Sequence, residues 1–205
     1  MISLFQYAFF FVFHLPLRFF LRPQMHGIEH VLKGGDDPRL IVANHITKLD
    51  PFLLALLPFR AQKKMIPYRF PTVDSYYCKL WIQFFIRPLG AYKMTPRAWT
   101  LDEYFSETKK YIIEKNNILL FPEGRLVGTP FAVEPKPGFI YLPSELSIAI
   151  LPLHIQGLSG LTFWDFLLRK RSATLTFGQE FSLANVPISR YRDTARGILE
   201  GIYSL

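Results

Sequence analysis

One cysteine, Cys78, stands among 205 residues. That scarcity excludes a disulfide framework and a cysteine-built metal centre, and it suits a reducing, cytoplasmic compartment. Cys78 sits in the run Tyr76-Tyr77-Cys78-Lys79-Leu80-Trp81 with no base beside it to activate a thiolate, so it reads as a core thiol rather than a nucleophile. Acidic residues are also few: 16 Asp and Glu face 24 Lys and Arg, giving a formal charge of +8 and a pI near 9.6. Such a balance draws polyanions, whether nucleic acid, an anionic bilayer or an acidic carrier. The basic residues are scattered rather than interleaved with aromatics on one face, apart from Arg169-Lys170-Arg171, so no nucleic-acid partner is expected. A long uninterrupted apolar run is missing too. The longest near the N-terminus, Tyr7 to Phe13, falls short of the roughly 20 residues that span hydrocarbon. With no basic segment before it and no small-residue cleavage site after it, a signal peptide is not expected. Repeats, low-complexity tracts and interdomain linkers are absent.

What is present is apolar and aromatic. Half of the residues are hydrophobic and 20 are Phe. His14, Pro16 and Arg18 interrupt the N-terminal run, and Arg18 and Arg22 close it. This pattern predicts an interfacial helix over residues 1–22 that associates with membrane, followed by one domain over 23–205. Leu40-Ile41-Val42-Ala43 is short, partly β-branched and preceded by Asp36-Asp37-Pro38, which predicts a buried strand. Asp50-Pro51 is a helix-start signal. Between them lies Asn44-His45-Ile46-Thr47-Lys48-Leu49, polar chemistry at a strand's end, where ligands bind in α/β sheets. His45 and Asp50 would stand about 140° apart on one helix, so they meet only if His45 lies in the turn before it. As a pair they are a candidate general base and its orienting carboxylate. A second strand, Ile118-Leu119-Leu120-Phe121, ends likewise in Pro122-Glu123-Gly124-Arg125.

Further elements are predicted along the chain: strands over Met25–Lys33, Lys63–Pro67, Ile148–Ile155 and Ser172–Phe177, and helices over Thr72–Phe85, Arg97–Lys115 and Ile188–Tyr203. The Pro-bearing stretch from Val127 to Gly138 is long enough either to cover a site or to be an irregular surface loop. The fold class expected is α/β, a single domain with a mixed, largely parallel central sheet flanked by helices and preceded by an N-terminal membrane-interface helix.

The two polar strand ends together resemble the 1-acyl-glycerol-3-phosphate (lysophosphatidic acid) acyltransferase family of glycerolipid acyltransferases, over about Gly27 to Gly178. The family's Asn-His-x-Ser-x-x-Asp motif stands here as Asn44-His45-Ile46-Thr47-Lys48-Leu49-Asp50, with Thr47 replacing Ser. Its Phe-Pro-Glu-Gly-Thr-Arg motif stands as Phe121-Pro122-Glu123-Gly124-Arg125, without the Thr. The second motif, Gly followed by an apolar stretch and a basic residue, is met by Gly90 to Arg97, with Lys93 or Arg97 as the basic residue; the fourth is met by Ile148 to Leu153 with Pro152. The resemblance implies an enzyme that moves a fatty acyl group from acyl-CoA or acyl carrier protein to a lysophospholipid hydroxyl, most simply that of 1-acyl-glycerol-3-phosphate. It implies His45 and Asp50 as catalytic residues and Asn44, Thr47, Lys93, Arg97, Glu123, Gly124 and Arg125 as substrate-binding ones. No cofactor or metal is implied, and the setting is the cytoplasmic face of the inner membrane. Glu123, itself an anion, is expected to orient Arg125 or to accept from a substrate hydroxyl. The competing readings are acylation of another lyso-lipid, of ornithine-lipid or lipid A type, and a non-catalytic basic membrane-binding protein.

Overall fold

In the computed structural model, the described residues are 2–72, 83–84, 86–94, 99–130 and 132–205. The first element is a helix, α1 (Ile2–Leu21), continuous through Pro16 and, by length and composition, long and apolar enough to cross a membrane. Gln6, His14 and Arg18 bond the backbone of the domain. Gln6 is fully buried; its amide donates to the carbonyls of Tyr68 and Leu89 (2.6 and 2.9 Å) and accepts from the Tyr68 amide (3.2 Å). His14 Nδ1 donates to the Ala55 carbonyl at 2.7 Å and Arg18 to that of Leu56 at 3.1 Å. Phe10 is buried on the same face, while Leu4, Phe11, Val12, Leu15 and Phe19 are exposed. The helix is thus amphipathic in the inverted sense, its polar groups satisfied by backbone and its apolar face open.

Strands β1 (Gln24–His26), β2 (Arg39–Ala43), β3 (Tyr68–Thr72), β4 (Ala91–Lys93), β5 (Asn117–Leu120), β6 (Ala149–Gln156), β7 (Thr174–Phe177) and β8 (Phe181–Ser182) make one mixed sheet. Among the described residues its order is β1-β7-β6-β2-β5-β3-β4, with β8 added to β6. Pairing is parallel except where β6 meets β7 and β8. All five residues of β2 are buried, as expected of a central strand with both faces covered. Alternation sorts them: Ile41 and Ala43 join the core beneath α1 and helix α3 (Phe59–Met65), while Leu40 and Val42 join the core beneath helix Ser106–Ile113 and the C-terminal helix Tyr191–Tyr203. The expected fold class is the one observed, and the strands anticipated at Leu40, Ile118, Ile148 and Ser172 are present.

Three expectations need correction. The strand over Met25–Lys33 stops at His26, because Gly27 turns the chain at φ +69° and residues Ile28–Lys33 form helix α2. A side chain at Gly27 would collide with the Phe177 carbonyl, so the turn needs glycine. Lys63–Pro67 is not a strand: Ala61, Gln62 and Met65 are buried at helical spacing in α3, and the strand begins only at Tyr68. The long helix from Arg97 is broken at Phe105 into Leu101–Tyr104 and Ser106–Ile113, capped at Thr100 by its bond from the Glu103 amide. Its predicted start, Thr95-Pro96-Arg97, lies outside the described residues, as does most of the helix predicted over Thr72–Phe85.

Candidate active site

The C-terminal ends of β2, β5 and β3 lie side by side because those strands are parallel neighbours. The chain after β2 runs through the turn 44–49 into a 3₁₀ helix, Asp50–Leu56, with Pro51 in its first turn. Asp50 is the hub of that turn. Its buried carboxylate accepts from the amides of Ile46 (2.7 Å) and Thr47 (2.9 Å), from the Thr47 hydroxyl (2.8 Å) and from His45 Nδ1 (2.8 Å). Since the carboxylate accepts at Nδ1, that nitrogen carries the imidazole proton and Nε2 is left as the basic atom. The ring also stacks on Phe121, with centroids 4.2 Å apart and planes 18° from parallel. Carboxylate and aromatic face together fix the tautomer and orientation of His45.

His45 forms part of the wall of a cavity of about 1130 Å³. Phe52, Phe70, Ile86, Met94, Phe105, Leu120 and Phe139 make most of it apolar. Lys48, Arg125 and Lys136 also face it, and no carboxylate does among the described residues. Gly124, at φ +64°, lets the turn after β5 pass under Lys136, whose Cε lies 2.7 Å from where a Gly124 methyl would sit. Both ends of the segment after Arg125 are tied down: the Val127 amide donates to the His45 carbonyl and the Lys136 amide to that of Pro122, each at 2.8 Å.

The remaining residues marked by the sequence are placed differently. Asn44 is buried and bonds the Ile155 backbone through both ends of its amide, at 2.8 and 2.7 Å, tying β2 to β6 rather than facing the cavity. The Thr47 hydroxyl is used by Asp50 and by the Leu49 amide (2.9 Å). Glu123 neither orients Arg125 nor faces the cavity. It is buried, accepting from the His45 amide at 3.0 Å and from the Tyr203 hydroxyl at 2.7 Å. Burial pushes its carboxyl above the usual glutamate range, against the pull of those two donors. Lys93 is exposed at the end of β4, outside the cavity wall, and Arg97 lies outside the described residues.

An Acyltransferase family profile matches residues 22–156, about two thirds of the chain. The chain belongs to the acyltransferase family. Comparison with curated proteins returns no match. Among solved structures, the 1-acyl-sn-glycerophosphate (LPA) acyltransferase PlsC from Thermotoga maritima superposes with a TM-score of 0.67 at 16% identity, over 98% of this chain and 80% of that one. At that identity the likeness is one of fold. In this acyltransferase, sequence reasoning missed Lys48 and Lys136 as cavity cations and Tyr203 as a partner of Glu123. Lys48 lies inside the first motif and Lys136 in the Pro-bearing stretch long enough to cover a site, so both were legible there; nothing local marks Tyr203, which fold topology alone carries to the site.

Proposed function

We propose that this acyltransferase transfers a fatty acyl group from an acyl-CoA or acyl carrier protein thioester to the free hydroxyl of a lysophospholipid, with 1-acyl-glycerol-3-phosphate as the acceptor and phosphatidic acid as the product. The observation that carries this is His45 Nδ1 held 2.8 Å from buried Asp50 on the wall of an apolar cavity that also presents three cations. His45 Nε2 takes the acceptor's hydroxyl proton as its oxygen attacks the thioester carbonyl carbon. Asp50 stabilises the imidazolium so formed. Collapse of the tetrahedral intermediate breaks the C–S bond, and the departing thiolate takes the proton back from Nε2. No cofactor or metal enters this balance. Arg125 holds the acceptor's phosphate by its planar fork, with Lys48 and Lys136 as further point charges. The apolar wall takes the acyl chain. The acceptor named for the Thermotoga maritima relative fits the same reading.

The enzyme works at the cytoplasmic face of an anionic membrane. Supporting this is the inverted polarity of α1. A lone transmembrane α1 would carry Gln6, His14 and Arg18 into hydrocarbon, whereas α1 docked on the domain keeps them bonded and offers Leu4, Phe11, Leu15 and Phe19 to lipid. Helix Phe163–Leu167 extends that surface: Phe166 packs on Phe20 (4.8 Å), Arg169 lies over the Phe19 ring (4.2 Å), and Phe163 and Trp164 are exposed beside Lys170 and Arg171. Turnover of long-chain acyl-CoA and acyl carrier protein donors with lysophosphatidic acid, by wild type and His45→Ala, tests the chemistry. A loss of about 10²–10⁴ in rate with an unchanged thermal midpoint is expected, and wild-type turnover in the variant would refute the base. Replacing the exposed Leu4, Phe11, Leu15 and Phe19 with Gln, which leaves the buried Gln6, Phe10 and Leu21 in place, is expected to release the protein from anionic liposomes, and unchanged co-sedimentation would refute the α1 contact.

A further inference from the structure

The main chain of His45 is held from both sides by the segment that follows β5. Its carbonyl accepts from the Val127 amide at 2.8 Å, and its amide donates to Glu123 Oε2 at 3.0 Å. Glu123 is in turn held by a residue from the far end of the chain: the hydroxyl of Tyr203, at the close of the C-terminal helix, donates to Oε1 at 2.7 Å. The Tyr203 ring is braced edge-on against His154 of β6, with centroids 5.4 Å apart and planes at 87°. We infer that Tyr203 is a positioning residue for acyl transfer, its hydroxyl holding the Glu123 carboxylate in the rotamer that fixes the His45 backbone and so keeps the imidazole between Asp50 and Phe121. The inference rests on His45 being the general base.

The physical reason is that a buried glutamate has two ways to escape its cost. It can swing on its flexible stem, or it can take up a proton. Desolvation already pushes Glu123 upward, and the Tyr203 hydroxyl is the largest opposing influence, ahead of the His45 amide and the His45 charge. Tyr203 itself is pushed well above the ordinary phenol range by burial and by Glu123, so it stays a donor throughout the working pH range. Among the described residues, the titratable groups in contact with this pair are His45 at the end of β2 and His154 of β6, whose burial holds it below the ordinary imidazole range; Arg125 and Lys136 line the cavity, which Glu123 does not face. A protonated Glu123 loses acceptor strength toward the His45 amide. Activity falls as pH drops both where His45 takes up a proton and where Glu123 does; removing the Tyr203 hydroxyl brings the Glu123 fall on at higher pH and leaves the His45 fall, which persists in Glu123→Gln, in place.

The test is the pH dependence of kcat for the full chain, with long-chain acyl-CoA and lysophosphatidic acid, in wild type, Tyr203→Phe, Glu123→Gln and the double variant. Tyr203→Phe is expected to lower kcat about 10-fold, leave both KM values in place, and move the acid limb up by about one unit, the size of one charge-assisted hydrogen bond. With Gln at 123 there is no carboxyl to titrate, so adding Tyr203→Phe moves the acid limb no further. Replacing Tyr203 with 3,5-difluorotyrosine, a stronger donor of the same shape, is expected to move the limb down, and it covers the case in which Tyr203→Phe folds poorly. An acid limb that is unmoved in both substitutions, or that moves equally in the Glu123→Gln background, overturns the inference. His45→Ala in the same series separates the two levels. Wild-type turnover there removes the base, and this inference with it; lost turnover there with an unmoved limb in the Tyr203 variants removes only the role of Tyr203.

Discussion

Replacing Asp50 by Asn separates the electrostatic role of the carboxylate from its structural one. Oδ2 receives the Ile46 and Thr47 amides and His45 Nδ1, and Oδ1 receives only the Thr47 hydroxyl. An asparagine can therefore keep its oxygen on the first three donors and turn its NH₂ toward Thr47, whose hydroxyl rotates to accept. The three donors on that oxygen stay matched, and only the Thr47 hydroxyl hydrogen, which had donated to Oδ1, gives up its acceptor. What is lost is the negative charge facing the imidazole as it takes up a proton, and a hydrogen bond to a charged group contributes about 1.5–3 kcal/mol. Asp50→Asn is thus expected to lower kcat by about 10- to 150-fold, with KM for both substrates within about twofold and the thermal midpoint lowered by a few degrees, less than in Asp50→Ala because one donor rather than several is stranded. Asp50→Ala behaves differently. It strands the Ile46 and Thr47 amides at about 1–3 kcal/mol each and should lower the midpoint by several degrees as well as the rate. Initial rates of thiol release from acyl-CoA at saturating acceptor, paired with thermal melts, measure both. Wild-type kcat in Asp50→Asn would refute the electrostatic role and leave Asp50 as a brace of the turn.

Arg125→Ala is expected to lower kcat/KM by about 10- to 150-fold with lysophosphatidic acid but not with an uncharged monoacylglycerol, Lys restoring only part of the loss; equal losses on both acceptors would remove the phosphate role. Gly124→Ala places a non-glycine residue at φ +64° and a methyl 2.7 Å from Lys136 Cε, so a stability loss of about 1–2 kcal/mol with a raised KM for the phosphate acceptor is expected; an unchanged melt and KM would contradict the packing described. Burial holds Glu123 above its ordinary value of 4.5, so its contribution to stability is present below that value and is lost as pH rises through the folded-state titration. Glu123→Gln should therefore gain stability relative to wild type as pH rises through that window, and melts at graded pH giving a constant difference would refute the shift.

By itself, the sequence determined the elements whose signals are local. The β2 and β5 runs are apolar because both sheet faces are covered, and their polar ends carry the residues that a parallel sheet brings to one edge. His45 and Asp50 were legible as a pair because five residues across a strand-to-helix turn permit contact, where the same spacing on a helix forbids it. The start of α2 was not legible: Met25 to Lys33 suits strand or helix, and the choice was made by Gly27 passing against Phe177, 150 residues away in the chain. The same holds for α3, whose short apolar pattern resolves only when Ala61, Gln62 and Met65 meet the core. Tertiary structure alone decided the fate of the motif's polar groups. Asn44 and Thr47 went to the backbone and to Asp50, because a buried amide or hydroxyl left unpaired costs more than any contact it gives up. Glu123 turned from the cavity to the His45 amide because Tyr203, at the other end of the chain, supplies the second donor that a buried carboxylate requires. The direction of α1 was likewise a tertiary outcome: only the carbonyls of Ala55, Leu56, Tyr68 and Leu89 tell which side of an almost wholly apolar helix faces the protein.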